Sequence, residues 1–168
     1  LFHVIAEALN THMISNNTSD LDETKLYDVE SLREIAADCI TNDNFDFILN
    51  TYKMEVEDGE FNGDWDPNLI ENIDDFKSEI KKCGDNFWGD HTILQLLSEK
   101  LEFNVIIFNS PNELGECNIY NCDIENMKYE KTLLIYYDCS IHFNLIGYYS
   151  KNLVNTVFNH NTLPFCLN

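Results

Sequence analysis

Basic residues are scarce in this sequence: 10 lysines and arginines stand against 30 aspartates and glutamates, for a formal net charge of −20. Such an excess of negative charge argues strongly against nucleic acid or an anionic membrane surface as a partner. It favours a basic protein surface or a basic peptide. The alternative interpretation, equally common for acidic proteins, is that the charge only keeps the protein soluble.

Long apolar runs are also missing, since none approaches the roughly 20 residues of a membrane-spanning helix. No signal-peptide pattern is present. The 6 cysteines show no CxxC pairs, which argues against a zinc site and against a tight disulfide framework. Several of them fall on apolar faces, which suits reduced thiols in the cytoplasm. We therefore expect no metal, no cofactor, no membrane and a cytoplasmic location.

The chain has 168 residues, of which 44% are hydrophobic and 12% aromatic, so it is long and apolar enough for one folded domain spanning 1–168. It contains no internal repeats and no low-complexity segments. Helical patterns fill the first hundred residues and strand patterns follow them. This order predicts an α+β fold with a small, mostly antiparallel sheet packed between helices.

The helical patterns begin at the first residue, where Phe2, Ile5, Ala8 and Leu9 recur at the spacing of one buried face. Further helices are predicted from an Asp28 cap, from the short apolar pattern Phe45 to Tyr52, from the cap-and-proline pair Asp66-Pro67, and from an Asp90 cap. The third of these predictions places Leu69, Ile73, Phe76, Ile80 and Cys83 on a buried stripe that ends at Gly84.

The segment between Glu55 and Asp66 is acidic and contains glycine, which predicts a solvated loop. It lacks the regular ligand spacing of a calcium-binding loop, so calcium is the weaker interpretation. Strands are predicted at Val105 to Phe108, at Asn118 to Cys122 and at Tyr129 to Tyr137. In the tail from Lys151 to Asn168, apolar residues such as Leu153 and Val157 suggest a helix.

The segment with the clearest chemical content is Thr132 to Tyr149, which reads as two strands around a turn at Asp138 to Ser140. His142 opens the second strand, and Asn144 lies two positions on, so their side chains share one face. An amide oxygen that accepts the Nδ1 proton leaves Nε2 of the imidazole free to take a proton from a nucleophile. The alternative is a strand-ending histidine beside a solvated asparagine.

Three segments in order along the chain resemble the OTU (ovarian tumour) family of cysteine proteases, most of which are deubiquitinases. They are Leu1-Phe2 opening a helix, Phe87-Trp88-Gly89-Asp90-His91 before another helix, and His142-Phe143-Asn144 on a strand. In the family these segments carry the nucleophile, line the cleft and supply the base. The frequent Asn, Ile and Lys suggest an AT-rich genome, viral or protist. If the source is a virus, the expected location is the cytoplasm of the host.

The resemblance implies hydrolysis of isopeptide or peptide bonds after the C-terminal glycine of ubiquitin, or of a ubiquitin-like modifier, with polyubiquitin among the partners. His142 and Asn144 would be catalytic. The nucleophilic cysteine is expected immediately before Leu1, outside the sequence. Trp88 and Gly89 would line the cleft for the substrate tail, although an isolated Trp equally suits a core position. Ile141 and Phe143, which flank the base, would touch the Gly-Gly tail.

Three alternatives stay open at this point. The first is a catalytically inactive OTU-like module that binds ubiquitin. The second is a structural or interaction protein in which the His142-Phe143-Asn144 triplet is accidental. The third keeps the enzyme and moves the nucleophile to a cysteine within the sequence, for which Cys139 is near His142 but too close in sequence for an easy approach.

Overall fold

The computed structural model describes residues 1–16, 26–61, 63–84, 87, 89–111, 118–120, 127–138, 142–150 and 152–163. Contacts divide the chain into two compact units, and each is described by itself. The first combines Leu1–Tyr27 with Leu101–Asn168, and the second is Asp28–Lys100. The expectation of one domain over 1–168 stays a prediction.

The elements confirm the α+β class, with helices first and strands after them. The helices are α1 Phe2–Asn16, α2 Val29–Asp38, α3 Phe45–Asp58, α4 Ile73–Lys81 and α5 His91–Leu101, with a 3₁₀ turn at Pro67–Leu69. The strands are β1 Phe103–Asn109, β2 Ile119–Tyr120, β3 Lys131–Asp138, β4 His142–Leu145, β5 Tyr148–Ser150, β6 Leu153–Asn155 and β7 Val157–Phe158. Within the described ranges, no helix is both long and apolar enough to cross a membrane.

The sheet of the first unit has the order β2-β1-β3-β4, and β7 pairs with the start of β3. Most of its pairs are antiparallel, as predicted, but its longest pair, between β1 and β3, is parallel. Strands β5 and β6 form a separate antiparallel hairpin. The predicted strand at Asn118 to Cys122 is the short edge strand β2.

Strand β3 is the centre of this sheet because its apolar run is buried on both faces. Leu133 and Ile135 point to one face and Leu134 to the other, and all three are at most 1% exposed. Leu134 packs with Ile106 and Phe158 in one apolar cluster. Burial on both faces explains the continuous apolar sequence of β3, which differs from the alternation of a half-exposed strand.

Helix α1 confirms the helix predicted at the start of the chain, and it packs on the same unit. It contacts β4, β6 and β7. The predicted buried residues Phe2, Ile5, Ala8 and Leu9 are all buried. The hydroxyl of Thr156, between β6 and β7, donates to the Ala8 carbonyl at 2.8 Å, which ties the middle of the helix to the strands.

The second unit begins with the predicted cap. The Asp28 carboxylate accepts from the Ser31 amide at 2.7 Å, and the Ser31 hydroxyl accepts from the Asp28 amide at 2.9 Å. This reciprocal pair is a capping box, here with serine in place of the usual glutamate. The pKa of the Asp28 carboxyl is lowered by the hydrogen bonds that it accepts from Ser31.

Helix α3 is longer than predicted, and the acidic loop is correspondingly shorter. The helix continues through Glu55 to Asp58 and ends where Gly59 takes a left-handed conformation, φ 73°. The Gly59 amide donates back to Val56 at 3.2 Å. A glycine at this position is the common way to end a helix, so the acidic run up to Gly59 belongs to the last turn of α3.

The helix predicted from Asp66-Pro67 is wrong in its boundaries. Asp66 does cap, with its carboxylate accepting from the Asn68 amide at 2.9 Å, but only a 3₁₀ turn follows. The α-helix starts later, where the Asn72 side chain accepts from the amides of Asp74 and Asp75. Leu69 is consequently 75% exposed rather than on the buried stripe.

Two further boundaries differ from expectation. Helix α4 ends at Lys81, so Cys83 is exposed and Gly84 lies beyond the helix. The suggested helix after Lys151 is wrong, because Leu153–Asn155 and Val157–Phe158 are strands. Asn152 adopts φ 64°, a conformation that asparagine tolerates better than most residues, and this lets the chain reverse into β6.

Candidate active site

Strand β4 carries the predicted catalytic pair at the edge of the sheet. His142 lies opposite Asp138 of β3, and Asn144 lies opposite Tyr136. Burial alternates along β4, so that His142 and Asn144 are exposed while Phe143 and Leu145 are half-buried. The two polar side chains therefore share the exposed face, as their spacing predicts.

No hydrogen bond joins the side chains of His142 and Asn144, and within the described ranges neither bonds to another side chain. Alternate residues of a strand are about 7 Å apart, so their side chains bond only when their rotamers lean together. Both side chains are exposed and have the space to do so. The geometry is compatible with a base and its orienting partner, but the hydrogen bond between the two side chains is not formed.

Phe143, predicted to touch the substrate, lies on the opposite face from His142. Its ring centroid is 4.8 Å from that of Tyr137, its direct partner on β3, with an interplanar angle of 36°. Aromatic cross-strand pairs of this kind stabilise one register. In this position Phe143 stabilises the register of β4, in which His142 lies on the exposed face.

The N-terminus of α1 points toward the same end of the sheet as His142. At the other end of α1, His12 and Asn16 line a cavity together with Lys131, the first residue of β3. Thr156 bonds to Ala8, in the middle of the helix. The part of α1 from Ala8 back to Phe2 adds about 9 Å at about 1.5 Å per residue, roughly the length of three strand residues. Helix α1 thus runs from the end of β3 back toward its start.

The first turn of α1 is built on Leu1, whose carbonyl accepts from the amides of Val4 at 3.0 Å and Ile5 at 3.2 Å. Leu1 therefore stands at the N-cap, and a residue before it would stand directly at the positive end of the helix dipole. At that position a thiol is ionised more readily, and backbone amides are oriented toward an oxyanion.

Gly89, predicted to line the cleft, belongs to the second unit and is half-buried. It precedes Asp90, which caps α5 as predicted: its carboxylate accepts from the Ile93 amide at 3.0 Å, and its carbonyl accepts from Leu94 at 2.9 Å. Trp88 and Ile141, the other two predicted substrate-binding residues, lie outside the described residues. Of the predicted site residues that the structure describes, His142, Phe143 and Asn144 lie on one element, β4.

The Asp90 carboxyl is one of the acidic groups of the second unit whose pKa is shifted. Burial raises its pKa above the ordinary value, although the hydrogen bond from the Ile93 amide opposes the shift. Burial and the Asp90 charge also raise the pKa of the Tyr52 hydroxyl. The pKa of Glu55 is raised by its own burial and by the Asp90 charge. Gly89 therefore directly precedes a carboxyl whose charged form is disfavoured by burial.

Two cysteines lie among the described residues. Cys39 is half-buried, and burial raises the pKa of its thiol. A thiol with a raised pKa is a poor nucleophile at neutral pH, so Cys39 is a poor substitute for the nucleophile. Cys83 is exposed. Cys139, the alternative nucleophile, lies outside the described residues. Among the described residues, no three His, Cys, Asp or Glu side chains are grouped as metal ligands.

No protein-family model matches this chain, and no curated protein matches it by sequence. Among solved structures, the chain is similar to an ovarian tumour (OTU) domain in complex with ubiquitin. The two chains are 20% identical, the match covers 96% of this chain and 69% of the other, and the TM-score is 0.46.

Arg33 is a residue that the sequence did not single out. It is 5% exposed, and its guanidinium donates to the carbonyls of Ile80 at 2.9 Å, Phe87 at 3.0 Å and Gly84 at 3.4 Å. These bonds join α2 to the end of α4 and to the chain that leads toward Gly89. A single arginine next to the apolar stripe of α2 was the only available signal.

Proposed function

We propose that this protein is a cysteine-type deubiquitinase that hydrolyses isopeptide or peptide bonds after the C-terminal glycine of ubiquitin or of a ubiquitin-like modifier. The observation that carries the proposal is the placement of His142 and Asn144. Both lie on the exposed face of β4, at the end of the sheet toward which the N-terminus of α1 points. A nucleophile at the start of α1 and a base on β4 form the two halves of a thiol protease site.

The nucleophile of this proposal is a cysteine immediately before Leu1. Its thiolate attacks the carbonyl carbon of the terminal glycine, and the backbone amides at the start of α1 stabilise the oxyanion. His142 takes the thiol proton and delivers it to the leaving amine. Water, deprotonated by His142, then releases the glycine carboxylate from the thioester. Asn144 holds His142 in the tautomer that leaves one ring nitrogen open.

Charge supports a basic partner. The net charge of −20 favours a surface with an excess of Lys and Arg, and ubiquitin has an arginine-bearing C-terminal tail. Carboxylates bind guanidinium groups in paired hydrogen bonds. In the same proposal Trp88, Gly89 and Ile141 contact the tail, and Phe143 acts there by holding β4. The reaction takes place in the cytoplasm, where thiols stay reduced.

The test is hydrolysis of ubiquitin carrying a fluorogenic amide at its C-terminus, by protein that includes the residues before Leu1. We expect His142→Ala to lower kcat by about 10²- to 10⁴-fold, the usual contribution of a general base. His160→Ala, which removes an exposed histidine from the turn after β7, is the matched control and should retain full activity.

Ubiquitin binding, measured on the same proteins, separates the alternatives. Binding without hydrolysis in the natural protein would favour the catalytically inactive ubiquitin-binding module. The absence of both hydrolysis and binding would overturn the proposed function and favour an unrelated interaction protein.

A further inference from the structure

The first unit contains a cavity of about 630 Å³ at the end of the sheet remote from His142. Its walls are the last turn of α1, the start of β3 and residues of β5, β6 and β7. A volume of this size lies in the range of sites for small organic molecules, roughly 300–1,000 Å³. It has no part in the catalysis proposed above.

Charge in the cavity differs from that of the chain as a whole. Acidic residues outnumber basic ones by 30 to 10 over the sequence, but the lining has one of each, Glu130 and Lys131. The Lys131 ammonium donates one hydrogen bond to the Leu101 carbonyl at 3.3 Å, which holds it in place and leaves two N–H groups. Glu130 is exposed, so water screens its charge more than that of half-buried Lys131.

Hydroxyl groups add further donors. Those of Ser15, Tyr148 and Ser150 line the cavity, and none of them hydrogen-bonds to a residue within the described ranges. Thr156 and Thr162 also line it, but their hydroxyls are engaged with Ala8 and Asn159. Hydroxyl groups donate as well as accept, so together with the Lys131 ammonium they can donate to a ligand rich in acceptors.

One part of the wall is apolar. Val154, Val157 and Phe158 contribute to it, and Val154, which is 45% exposed, offers the surface that a ligand can contact, because the other two are at most 8% exposed. A bare inorganic anion would leave most of the cavity unfilled and would not contact these side chains. An organic molecule with an apolar body and one polar end matches both the apolar and the hydrogen-bonding parts of the cavity wall.

We propose that this cavity binds a small organic molecule bearing an oxyanion, a phosphate or a carboxylate, whose charged group is held by Lys131 and the free hydroxyls and whose apolar body packs on Val154. Negative charge on the ligand makes Lys131 the main contact, since hydrogen bonds between ions are the strong ones. Glu130 opposes binding through repulsion.

The pKa of His12 is expected to respond to a negative charge bound in the cavity. Burial, and then the Lys131 charge, lower the pKa of His12, so its ring is neutral at neutral pH. Lys131 and Glu130 from the start of β3 and Tyr148 from β5 are the other titratable groups that line the cavity, and Asn16 bonds to the ring from α1 itself. A bound oxyanion offsets the Lys131 charge and raises the pKa of His12.

The experiment is an NMR titration of the histidine ring protons in the full chain, with phenyl phosphate, inorganic phosphate and phenol as separate probes. We expect phenyl phosphate to bind best, to saturate, and to raise the pKa of His12 while that of His142 stays constant. Phosphate alone lacks the apolar body and phenol lacks the charge, so both should bind at least about tenfold more weakly.

Two substitutions make the test specific. Lys131→Met should weaken phenyl phosphate binding about tenfold or more, the loss of one charge-assisted bond. Glu130→Gln removes the repulsion without touching the Lys131–Leu101 bond, so it should tighten binding even if Lys131→Met folds poorly. Equal binding of phenol and phenyl phosphate, a His12 pKa that does not rise, or weaker binding in Glu130→Gln would each overturn the proposal.

Discussion

Tyr137 and Phe143 pair across β3 and β4 with ring centroids 4.8 Å apart, on the face of β4 opposite to His142. Side chains alternate along a strand, so a slip of one residue would turn His142 and Asn144 to the other face. The aromatic pair therefore helps to fix the face of β4 on which the candidate base lies.

This relationship predicts the effect of Tyr137→Ser. The substitution should lower the free energy of unfolding by about 1 kcal/mol, the usual size of an aromatic cross-strand pair. It should also lower hydrolysis of a ubiquitin amide, because β4 is held less firmly. Tyr137→Phe keeps the ring and is the matched control. Equal activity of the Ser and Phe variants would show that the ring pair does not position His142.

Asn144 is predicted to act through His142, so its substitution should change the pH profile as well as the rate. Asn144→Ala should lower kcat with little change in KM. Asn144→Asp places a carboxylate beside the imidazole, which favours the protonated ring and raises the pKa of His142. The acidic limb of kcat against pH should then move to higher pH. If the acidic limb of the Asn144→Asp variant is unchanged, Asn144 does not act through His142.

Asp90 offers a stability test with a definite sign. Its pKa in the folded protein is raised by burial above the ordinary 3.8, so the folded state holds the proton more tightly than the unfolded chain. Stability is therefore fully retained below pH 3.8 and is lost as the pH rises through the folded pKa. Asp90→Asn keeps the cap without the charge and should gain stability over the natural protein as the pH rises.

Asp90→Ala is the matched comparison, because it removes both the charge and the cap that binds the Ile93 amide. At low pH it should cost about 1 kcal/mol, the usual contribution of an N-cap. Chemical denaturation of the three proteins between pH 3 and 8 measures both effects. If Asp90→Asn gains no stability with rising pH, the cost of ionising the buried carboxyl is absent.

Trp65 is predicted to hold the second unit together. Its ring lies 5.3–5.7 Å from those of Tyr52, Phe61, Phe76 and Phe87. Trp65→Ala should cost about 3 kcal/mol of unfolding free energy, the lower end for an aromatic truncation because Trp65 is half-buried. Trp65→Phe keeps a ring and should cost clearly less. Equal costs in thermal unfolding would show that the ring contacts contribute little.

Local patterns predicted the elements that depend on near neighbours. The sequence predicted the α1 helix, the Asp28 and Asp90 caps, and the β3–β4 pair with His142 at the start of β4. These features are predictable because caps and side-chain periodicity act within a few residues. The failures also have physical causes. The Asp66-Pro67 pair starts a 3₁₀ turn as well as it starts an α-helix, and the stronger Asn72 cap lies further on.

Other features depend on contacts far apart in sequence. Three features have no local signature in the sequence. They are the parallel pairing of β1 with β3, the pairing of β7 with Thr132 and Leu133, and the burial of Arg33 against the carbonyls of Ile80 and Phe87. The side-chain spacing placed His142 and Asn144 on one face, but it could not tell that Phe143 faces Tyr137. The relation of α1 to β4 likewise emerges only from packing.

The most direct test of the proposed function is the reaction of the protein, including the residues before Leu1, with ubiquitin that carries an electrophile at its C-terminus. Intact mass and peptide mapping then locate any adduct. We predict one covalent ubiquitin on a cysteine immediately before Leu1, formed far more slowly in the His142→Ala variant. An adduct on another cysteine, or no adduct with natural His142 present, would contradict the proposed thiol protease.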